Sequence, residues 1–409
     1  MLQLAFRNLF RNARRTVITV TAIGFGLSLV FATVTLQAGT YDEMIRAGVR
    51  SLSGHVVVAA SGWHDSRDGD LVVSGVGPLA DAIRFALPDA VVAPRLQLGG
   101  LLVSPRASVG VAMSGVDGAT EAVLQDIDDK LTEGEWIDGD GLGIVLGVQL
   151  AETLQVSLGD KVVYMGQHGG ATEVNSRLFR VKGLFRSGVA EVDGFVAWVD
   201  LRAAQEAFGQ PDVAHQITVH LPDVRGVQDA QDRVVALVDP VSSLEVLPWS
   251  DALKELTALI EVDKVSNGIM LGVLGLIVSM GALNTVLMSV LERTKEFGVL
   301  MAIGIRPARL AGVVMLEGLL LGGLGAVFGA LLGGALSAYL VFYGLDQRGF
   351  MGESYEAGGV ILNGLVFGQF DGLRMGAAAA AAVGMTGLAA LYPALWVAKL
   401  QPVDAMRHS

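Results

Sequence analysis

Long apolar stretches flanking one long polar region dominate the pattern of the chain. Four stretches run for more than about 20 residues without a charged side chain, the length a helix needs to cross a bilayer at a rise of about 1.5 Å per residue. With their immediate flanks, they predict four transmembrane helices, at residues 16–41, 265–291, 310–345 and 372–398.

The polar region, residues 42–264, has the pattern of an α+β domain. A β-branched run at 55–60 predicts a strand, and a proline followed by regularly spaced apolar residues predicts a helix over 78–86. Looser alternation over 101–116 predicts paired strands. We therefore expect one membrane helix, a large α+β domain with 150–200 as a candidate smaller lobe, and then three more membrane helices.

Composition supports a membrane protein. Hydrophobic residues make up 52% of the chain and charged residues 17%, against about 25% charged in soluble domains. Of the 41 acidic residues, 33 lie within 42–264, together with 17 of the 29 basic ones. Disorder is excluded and an ordinary soluble enzyme is disfavoured. The net charge of −12 argues against nucleic acid as a partner.

Lysine and arginine set the expected orientation. Four basic residues precede the first span, four lie between the second and third, and two follow the fourth. With four spans, these regions share one side, which the positive-inside rule assigns to the cytoplasm. We therefore predict a cytoplasmic amphipathic helix at 1–15, an extracytoplasmic domain at 42–264, a cytoplasmic segment at 292–309, an extracytoplasmic loop at 346–371 and a cytoplasmic tail at 399–409.

Catalytic and metal-binding patterns are missing from the sequence. A nucleotide-binding P-loop needs a lysine after glycine, and none of the seven lysines follows one. Cysteine is absent, and neither Gly-x-Ser-x-Gly nor His-Glu-x-x-His occurs. His215 and His220 flank a predicted strand, where we expect structural histidines rather than a metal pair. We predict no catalytic residue, no metal site and no cofactor in this chain.

A cluster of mixed charges follows the second span. Glu292, Arg293, Lys295 and Glu296 arrive together, and apolar residues follow at 297, 300, 301 and 303. Those apolar positions can line one face of a short helix that docks into a groove of another protein. The alternative is a positive-inside anchor, which accounts for the two cations but not for the two glutamates. The residues alone leave both interpretations open.

Small residues in the third span are spaced for close helix contact. Gly325, Gly329 and Gly333 recur every four residues. They either pack spans within one subunit or line a dimer interface. Glu317, near the start of this span, either reaches the membrane surface or makes a structural hydrogen bond.

Three signatures, in order, resemble the FtsX/MacB-type permeases of ABC exporters. They are LAFRNLFRNARRT at 4–16, ERTKEFGVLMAIGIRPARL at 292–310 and YPALWVAKLQPVDAMR at 392–407. Within that family the chain is most similar to the lipoprotein-releasing (Lol-type) permeases. The similarity lies in Pro94-Arg95-Leu96, GVDG at 115–118, IVLGVQLAETLQVSLGD at 144–160 and EVDGF at 191–195.

This resemblance implies a permease subunit of an ABC complex in the inner membrane, with both termini cytoplasmic and a MacB-like domain in the periplasm. A second permease, identical or homologous, and a cytoplasmic ATPase dimer holding ATP and Mg²⁺ would complete the complex. The substrate would be a lipoprotein, which leaves the membrane lipids of the outer leaflet for a periplasmic carrier.

The resemblance also implies site residues. The ATPase would rest on a coupling segment formed by Glu292, Arg293, Thr294, Lys295, Glu296, Phe297 and Gly298. Acyl chains would enter a cavity whose lining we chose by helix face: Phe31, Val34, Leu36, Ile269, Val273, Ile277 and Met280. A hairpin can grip the carrier in Lol-type permeases. The matching stretch here, 166–176, is short, lacks proline and begins with Gly166, Gln167, His168, Gly169 and Gly170.

Two other functions fit the same architecture. A MacB-like permease would export peptides or small molecules, and an FtsX-like protein would signal across the membrane to a cell-wall hydrolase without transporting anything. A membrane-bound enzyme is disfavoured by the missing catalytic patterns.

Overall fold

The computed structural model describes residues 6, 7, 11, 13–125, 130–139, 141–167, 174–223, 226–238, 242–352 and 354–400. The chain divides into two compact units. The helical unit comprises 1–42, 260–346 and 365–409, and the sheet unit comprises 43–259 and 347–364.

Fourteen α-helices are defined in the described residues, with a π-helical turn at Val49–Ser53 directly after the first. In chain order they are α1 Ala13–Gly48, α2 Trp63–Ser66, α3 Val76–Ala86, α4 Gly118–Gln125, α5 Val148–Leu154, α6 Ala190–Asp193, α7 Leu201–Phe208, α8 Val227–Val235, α9 Trp249–Ala252, α10 Lys254–Glu292, α11 Thr294–Ala302, α12 Pro307–Tyr343, α13 Arg348–Met351 and α14 Gly372–Lys399.

Sixteen strands are defined in the same residues. They are β1 Val56–Ala60, β2 Val73–Ser74, β3 Val91–Val103, β4 Ser108–Val116, β5 Leu131–Gly134, β6 Gly143–Gly147, β7 Lys161–Gly166, β8 Asn175–Phe185, β9 Val196–Asp200, β10 Val213–Ala214, β11 Gln216–His220, β12 Leu244–Pro248, β13 Leu345–Asp346, β14 Ser354–Ala357, β15 Val360–Asn363 and β16 Leu365–Val366.

In the part of the chain that the structure describes, α1, α10, α12 and α14 are long and apolar enough to cross a membrane, and they carry the four predicted spans. The third ends at Tyr343, two residues before the predicted boundary, because Gly344 adopts φ 72° and closes the helix. Glycine reaches this left-handed region without the Cβ clash that other residues meet.

The glycines of α12 pack it against its neighbours within this chain. An added Cβ at Gly325 would meet Ile23 of α1, and one at Gly329 would lie 2.8 Å from the carbonyl oxygen of Gly24. On the other side of α12, Gly318 faces Ala390 of α14. The periodic small residues therefore serve packing within the subunit, the first of the two predicted alternatives.

The sheet unit is built on a mixed ten-stranded sheet with the order β12-β1-β11-β3-β4-β9-β6-β8-β5, in which β7 joins β3 and β8. The thirteen-residue β3 holds it together, since its first half pairs with β11 and its second half with β4 and β7. Two apolar clusters cover the sheet, one around β1, β11 and α3 and the other around β4, β6 and α7.

The strands and the helix predicted within residues 42–264 agree with the structure. The run at 55–60 contains β1, and the pattern at 78–86 lies within α3. The range 101–116 contains all of β4 and the end of its antiparallel partner β3, which begins ten residues earlier at Val91. The candidate smaller lobe at 150–200 contributes β7, β8 and β9 to the same continuous sheet. Part of the predicted loop 346–371 forms the β14–β15 hairpin, which belongs to the sheet unit.

A pair of glycine substitutions tests the packing of α12. Gly329→Ala should lower the free energy of unfolding by about 1–3 kcal/mol, because the new methyl group meets backbone that has no room to move. Gly334→Ala, in the same helix, meets nothing within 4 Å and should be neutral or stabilise by up to about 1 kcal/mol. Denaturant unfolding of the purified chain in detergent measures both, and equal effects would contradict the packing.

Candidate functional site

The coupling segment lies at a sharp break between two helices of the helical unit. The helix α10 ends at Glu292, and α11 begins at Thr294 after Arg293 leaves helical geometry at φ −109° and ψ 11°. The Thr294 hydroxyl donates to the carbonyls of Val290 and Leu291, at 3.2 and 3.0 Å. The Val290 carbonyl also accepts the backbone N–H of Arg293 at 3.2 Å, so the hydroxyl reinforces the bonding of the carbonyls at the end of α10.

Arg293 lies between two carboxylates. Its Nε is 3.2 Å from Glu296 Oε2, and its Nη1 is 3.1 Å from Glu317 Oε1. Its guanidinium also lies 5.3 Å from the ring centroid of Phe297. Glu317 is buried, with 5% of its surface exposed. Because a buried carboxylate needs a charged or hydrogen-bonding partner, Glu317 has a structural role rather than reaching the membrane surface.

Two arginines near the N-terminus pair with the two acids of the coupling segment, Glu292 and Glu296. Arg11 Nη1 lies 2.7 Å from Glu296 Oε1, and Arg15 Nη1 lies 3.2 Å from Glu292 Oε1. The hydrogen bond from Arg11 holds the pKa of the Glu296 carboxyl below its usual value. The two glutamates that a simple basic anchor left unexplained thus bind this chain's own arginines.

The apolar face of α11 points into the helical unit. Phe297 and Met301 are buried, and they join Val290, Leu310 and Val397 in one apolar cluster. Thr294 and Gly298 are buried as well. Docking of this face into a partner was one of the two interpretations that the sequence leaves open, but its large side chains are already covered by α10, α12 and α14.

The side of α11 open to a partner has a different composition. Lys295 is exposed, and the exposed fractions of Val299 and Ile303 are 50% and 76%. Sequence reasoning missed Val299 because a single valine carries no signal of its own. The burial of Phe297, two residues earlier and on the opposite side of the helix, would have revealed it.

The seven residues chosen for the substrate cavity lie in two different environments. Phe31 and Val34 are buried against Leu27 and Met375 within the helical unit, and Leu36 is half-buried. The four α10 residues form an exposed apolar row: Ile269, Val273, Ile277 and Met280, with exposed fractions of 65%, 53%, 61% and 61%.

An apolar cavity of about 370 Å³, which the sequence did not predict, lies between α1, α10 and α14. Small residues form much of its lining, among them Gly26, Gly272, Gly275, Ala378 and Ala382. Glycine and alanine carry too little side chain to fill the space between three helices. The exposed row and this cavity make α10 the least tightly packed of the four long helices.

The hairpin proposed for a carrier is described only in part. Gly166 ends β7, which pairs with β8 through Gly166 and Asn175. Gln167 follows it, and His168, Gly169 and Gly170 lie outside the described residues.

The two histidines singled out in the sequence make hydrogen bonds within the sheet unit. His215 Nδ1 accepts the backbone N–H of Gln97 at 3.0 Å, and its ring stacks on Trp63. His220 Nε2 lies 3.1 Å from the Thr218 hydroxyl.

Two family models match the chain. The MacB-like periplasmic core domain matches residues 16–237, and the FtsX-like permease C-terminal domain matches residues 268–402. Together with four membrane-length helices, these matches define a membrane permease with a MacB-like periplasmic domain. The chain belongs to the FtsX/MacB/LolC family of ABC transporter permeases.

Several relatives match most of this chain in sequence. The lipoprotein-releasing system transmembrane protein LolC of Xylella fastidiosa is 27% identical, over 95% of this chain and 93% of its own. The LolC of Neisseria meningitidis is 24% identical, over 96% and 94%. The macrolide export ATP-binding/permease protein MacB of Nitrobacter winogradskyi is 24% identical, over 98% of this chain and 59% of its own.

A double-mutant cycle tests the pairing of Arg293 with Glu317. Arg293→Ala should lower the free energy of unfolding in detergent by about 3 kcal/mol, because Glu317 keeps a buried charge without its cation. The double variant, with Glu317→Ala added, should lose less unfolding free energy than the two single variants lose together, by about 1 kcal/mol or more. Lys295→Ala, on the exposed side of the same segment, should change stability by no more than about 0.5 kcal/mol. Strict additivity of the two changes would contradict the pairing.

Proposed function

We propose that this permease extracts lipoproteins from the outer leaflet of the inner membrane and passes them to a periplasmic carrier. The observation that carries the proposal is similarity to lipoprotein-releasing LolC proteins over nearly the whole length of both chains. The termini and the coupling segment would be cytoplasmic and the sheet unit periplasmic, in a 1+3 layout, as the positive-inside rule predicts.

The energy for extraction would come from a separate ABC ATPase dimer that holds ATP and Mg²⁺. The ATPase would contact the exposed side of α11 at Lys295, Val299 and Ile303. Since Arg293 ties α11 to α12 and Arg15 ties α1 to the end of α10, a displacement of α11 would move these helices together.

Energetics explain why such a motor is needed. Moving an acyl chain from lipid into an apolar protein pocket changes its free energy little, since both surroundings are apolar. Moving it into water costs about 0.8 kcal/mol per methylene group. The exposed row on α10 offers an apolar surface, and a second permease subunit, identical or homologous, would close it into a cavity that shields the chains.

Site-specific photocrosslinking tests the substrate. A photoreactive amino acid at Val273 or Ile277 should crosslink palmitate-labelled lipoprotein in membranes supplied with ATP, several-fold more than the same residue at Leu388. Leu388 lies on α14 with 69% of its surface exposed, so it controls for contact with bulk lipid.

The outcomes separate the competing functions. Equal crosslinking at all three positions would contradict lipoprotein extraction. Crosslinks from Val273 to a peptide or small molecule instead would favour a MacB-like exporter, a function supported by the match to the Nitrobacter protein. Capture of a cell-wall hydrolase by the full chain, with no lipoprotein adduct, would favour FtsX-like signalling.

A further inference from the structure

A groove of about 730 Å³ lies within the helical unit, between the N-terminal end of α1 and the C-terminal end of α10. Its charged lining consists of Arg11, Arg14, Arg15 and Glu292, and the side-chain amide of Asn284 also faces it. The groove therefore combines positive charge with a neutral hydrogen-bonding group.

Two of the three arginines are paired with carboxylates, whereas Arg14 is not. Arg15 lies 3.2 Å from Glu292, and Arg11 lies 2.7 Å from Glu296. Arg14 is exposed, and it makes no hydrogen bond or ion pair with any residue that the structure describes. The groove therefore keeps one cation in excess, on a side chain that is available to an anion.

The side-chain amide of Asn284 likewise has no hydrogen-bond partner in the described part of the chain. Asn284 is exposed inside the predicted second span, eight residues before α10 ends at Glu292, a distance of about 12 Å along the helix. An amide without a partner is costly at the edge of a hydrocarbon layer. A ligand that brings acceptor oxygens to this level would remove that cost.

The contact between α1 and α10 sets the separation of these two polar groups. Thr19 Oγ1 and Thr285 Oγ1 are 2.8 Å apart, so Asn284, the neighbour of Thr285, lies near the level of Thr19. Arg14 precedes Thr19 by five residues of α1, a rise of about 7.5 Å. The headgroup region extends roughly 5–8 Å beyond the hydrocarbon core, and the ester groups of a phospholipid lie at the boundary between the two. A phosphate at Arg14 thus places the ester oxygens of the same lipid near Asn284.

We propose that this groove binds one anionic phospholipid. Its phosphate pairs with Arg14, since a guanidinium group matches the geometry of phosphate oxygens. Its ester carbonyls accept hydrogen bonds from the Asn284 amide. Its glycerol and first methylene groups contact Ile18 and Met288, which line the groove with exposed fractions of 60% and 49%.

The form of the groove favours a lipid over a free anion. Inorganic phosphate can reach Arg14, but it lacks the parts that would bind Asn284 and cover the apolar side chains. The site lies wholly within the helical unit, and the proposal does not depend on which substrate the permease moves.

Photolabelling of the full chain tests the site. The chain is placed in phosphatidylcholine nanodiscs that contain a small fraction of phosphatidylglycerol with a photoreactive group near its glycerol, and labelled residues are mapped by mass spectrometry. Label is expected within residues 16–19 and 284–288. Arg14→Gln with Asn284→Leu should reduce this label about fivefold or more, the scale expected when one cation is lost at an anionic surface. Arg14→Lys keeps the charge and should keep most of the label.

A matched control separates this site from general attraction between anionic lipid and basic residues. Arg309 is an exposed arginine of α12 that does not line the groove. Arg309→Gln removes the same charge and should leave the label within 284–288 unchanged. Because the side chains of Arg14 and Asn284 bond to no other described residue, their variants should keep the unfolding midpoint of the original chain in detergent.

Four results would overturn the proposal. The first is equal labelling of the original chain and of the variant with Arg14→Gln and Asn284→Leu. The second is an equal loss in Arg309→Gln, which would leave only a general effect of charge. The third is equal labelling by a phosphatidylcholine probe of the same design, which would exclude selection of an anionic lipid. The fourth is full competition by millimolar inorganic phosphate, which would indicate a free-phosphate site.

Discussion

The contact of Arg293 with Glu296 and Glu317 is the constraint on which the helical unit depends. A carboxylate as deeply buried as Glu317 needs a charged or hydrogen-bonding partner, and a cation that reaches it comes from the turn between α10 and α11. Arg11 and Arg15 extend the same network to the N-terminal side. One group of charges therefore links the coupling segment to α1, α10 and α12, so a force on the segment has a direct route into the long helices.

Packing density divides the long helices into two classes. Glycines let α12 lie directly against α1 and α14, where an added methyl group would meet the backbone of Gly24 in α1 and the side chain of Ala390 in α14. The helix α10 instead keeps an exposed apolar row and borders a cavity. A permease needs both, because a rigid group of helices transmits displacement while a loosely held one offers surface to substrate or to a second subunit. In our proposal α10, which ends at the coupling segment, is the loosely held helix that offers surface to substrate or to a second subunit.

Much of the fold could be predicted from local pattern, whereas the detailed environment of the site could not. Charge-free length predicts four long helices, a β-branched run predicts β1, and looser alternation predicts the β3–β4 pair, because these signals lie in neighbouring residues. Glu317 is 24 residues from Arg293 in sequence, and Glu296 is 285 residues from Arg11. Over such distances no sequence pattern links two charges. For the same reason, the sequence could not show that Phe297 packs inside its own chain, and it left docking of the α11 apolar residues into a partner open. The ten-stranded order of the sheet likewise depends on long-range pairing of β3 that its sequence does not specify.

Cysteine scanning of residues 294–303 tests the central claim most directly, because the chain has no native cysteine and each introduced thiol is unique. In inside-out vesicles, a membrane-impermeant maleimide should label positions 295, 299 and 303 quickly and positions 294, 297 and 301 slowly. A bound ATPase should protect only the first set. Labelling of the first set from the periplasmic side, or ATPase protection at 297 and 301 alone, would contradict a coupling segment held by its own helices and driven from the cytoplasm.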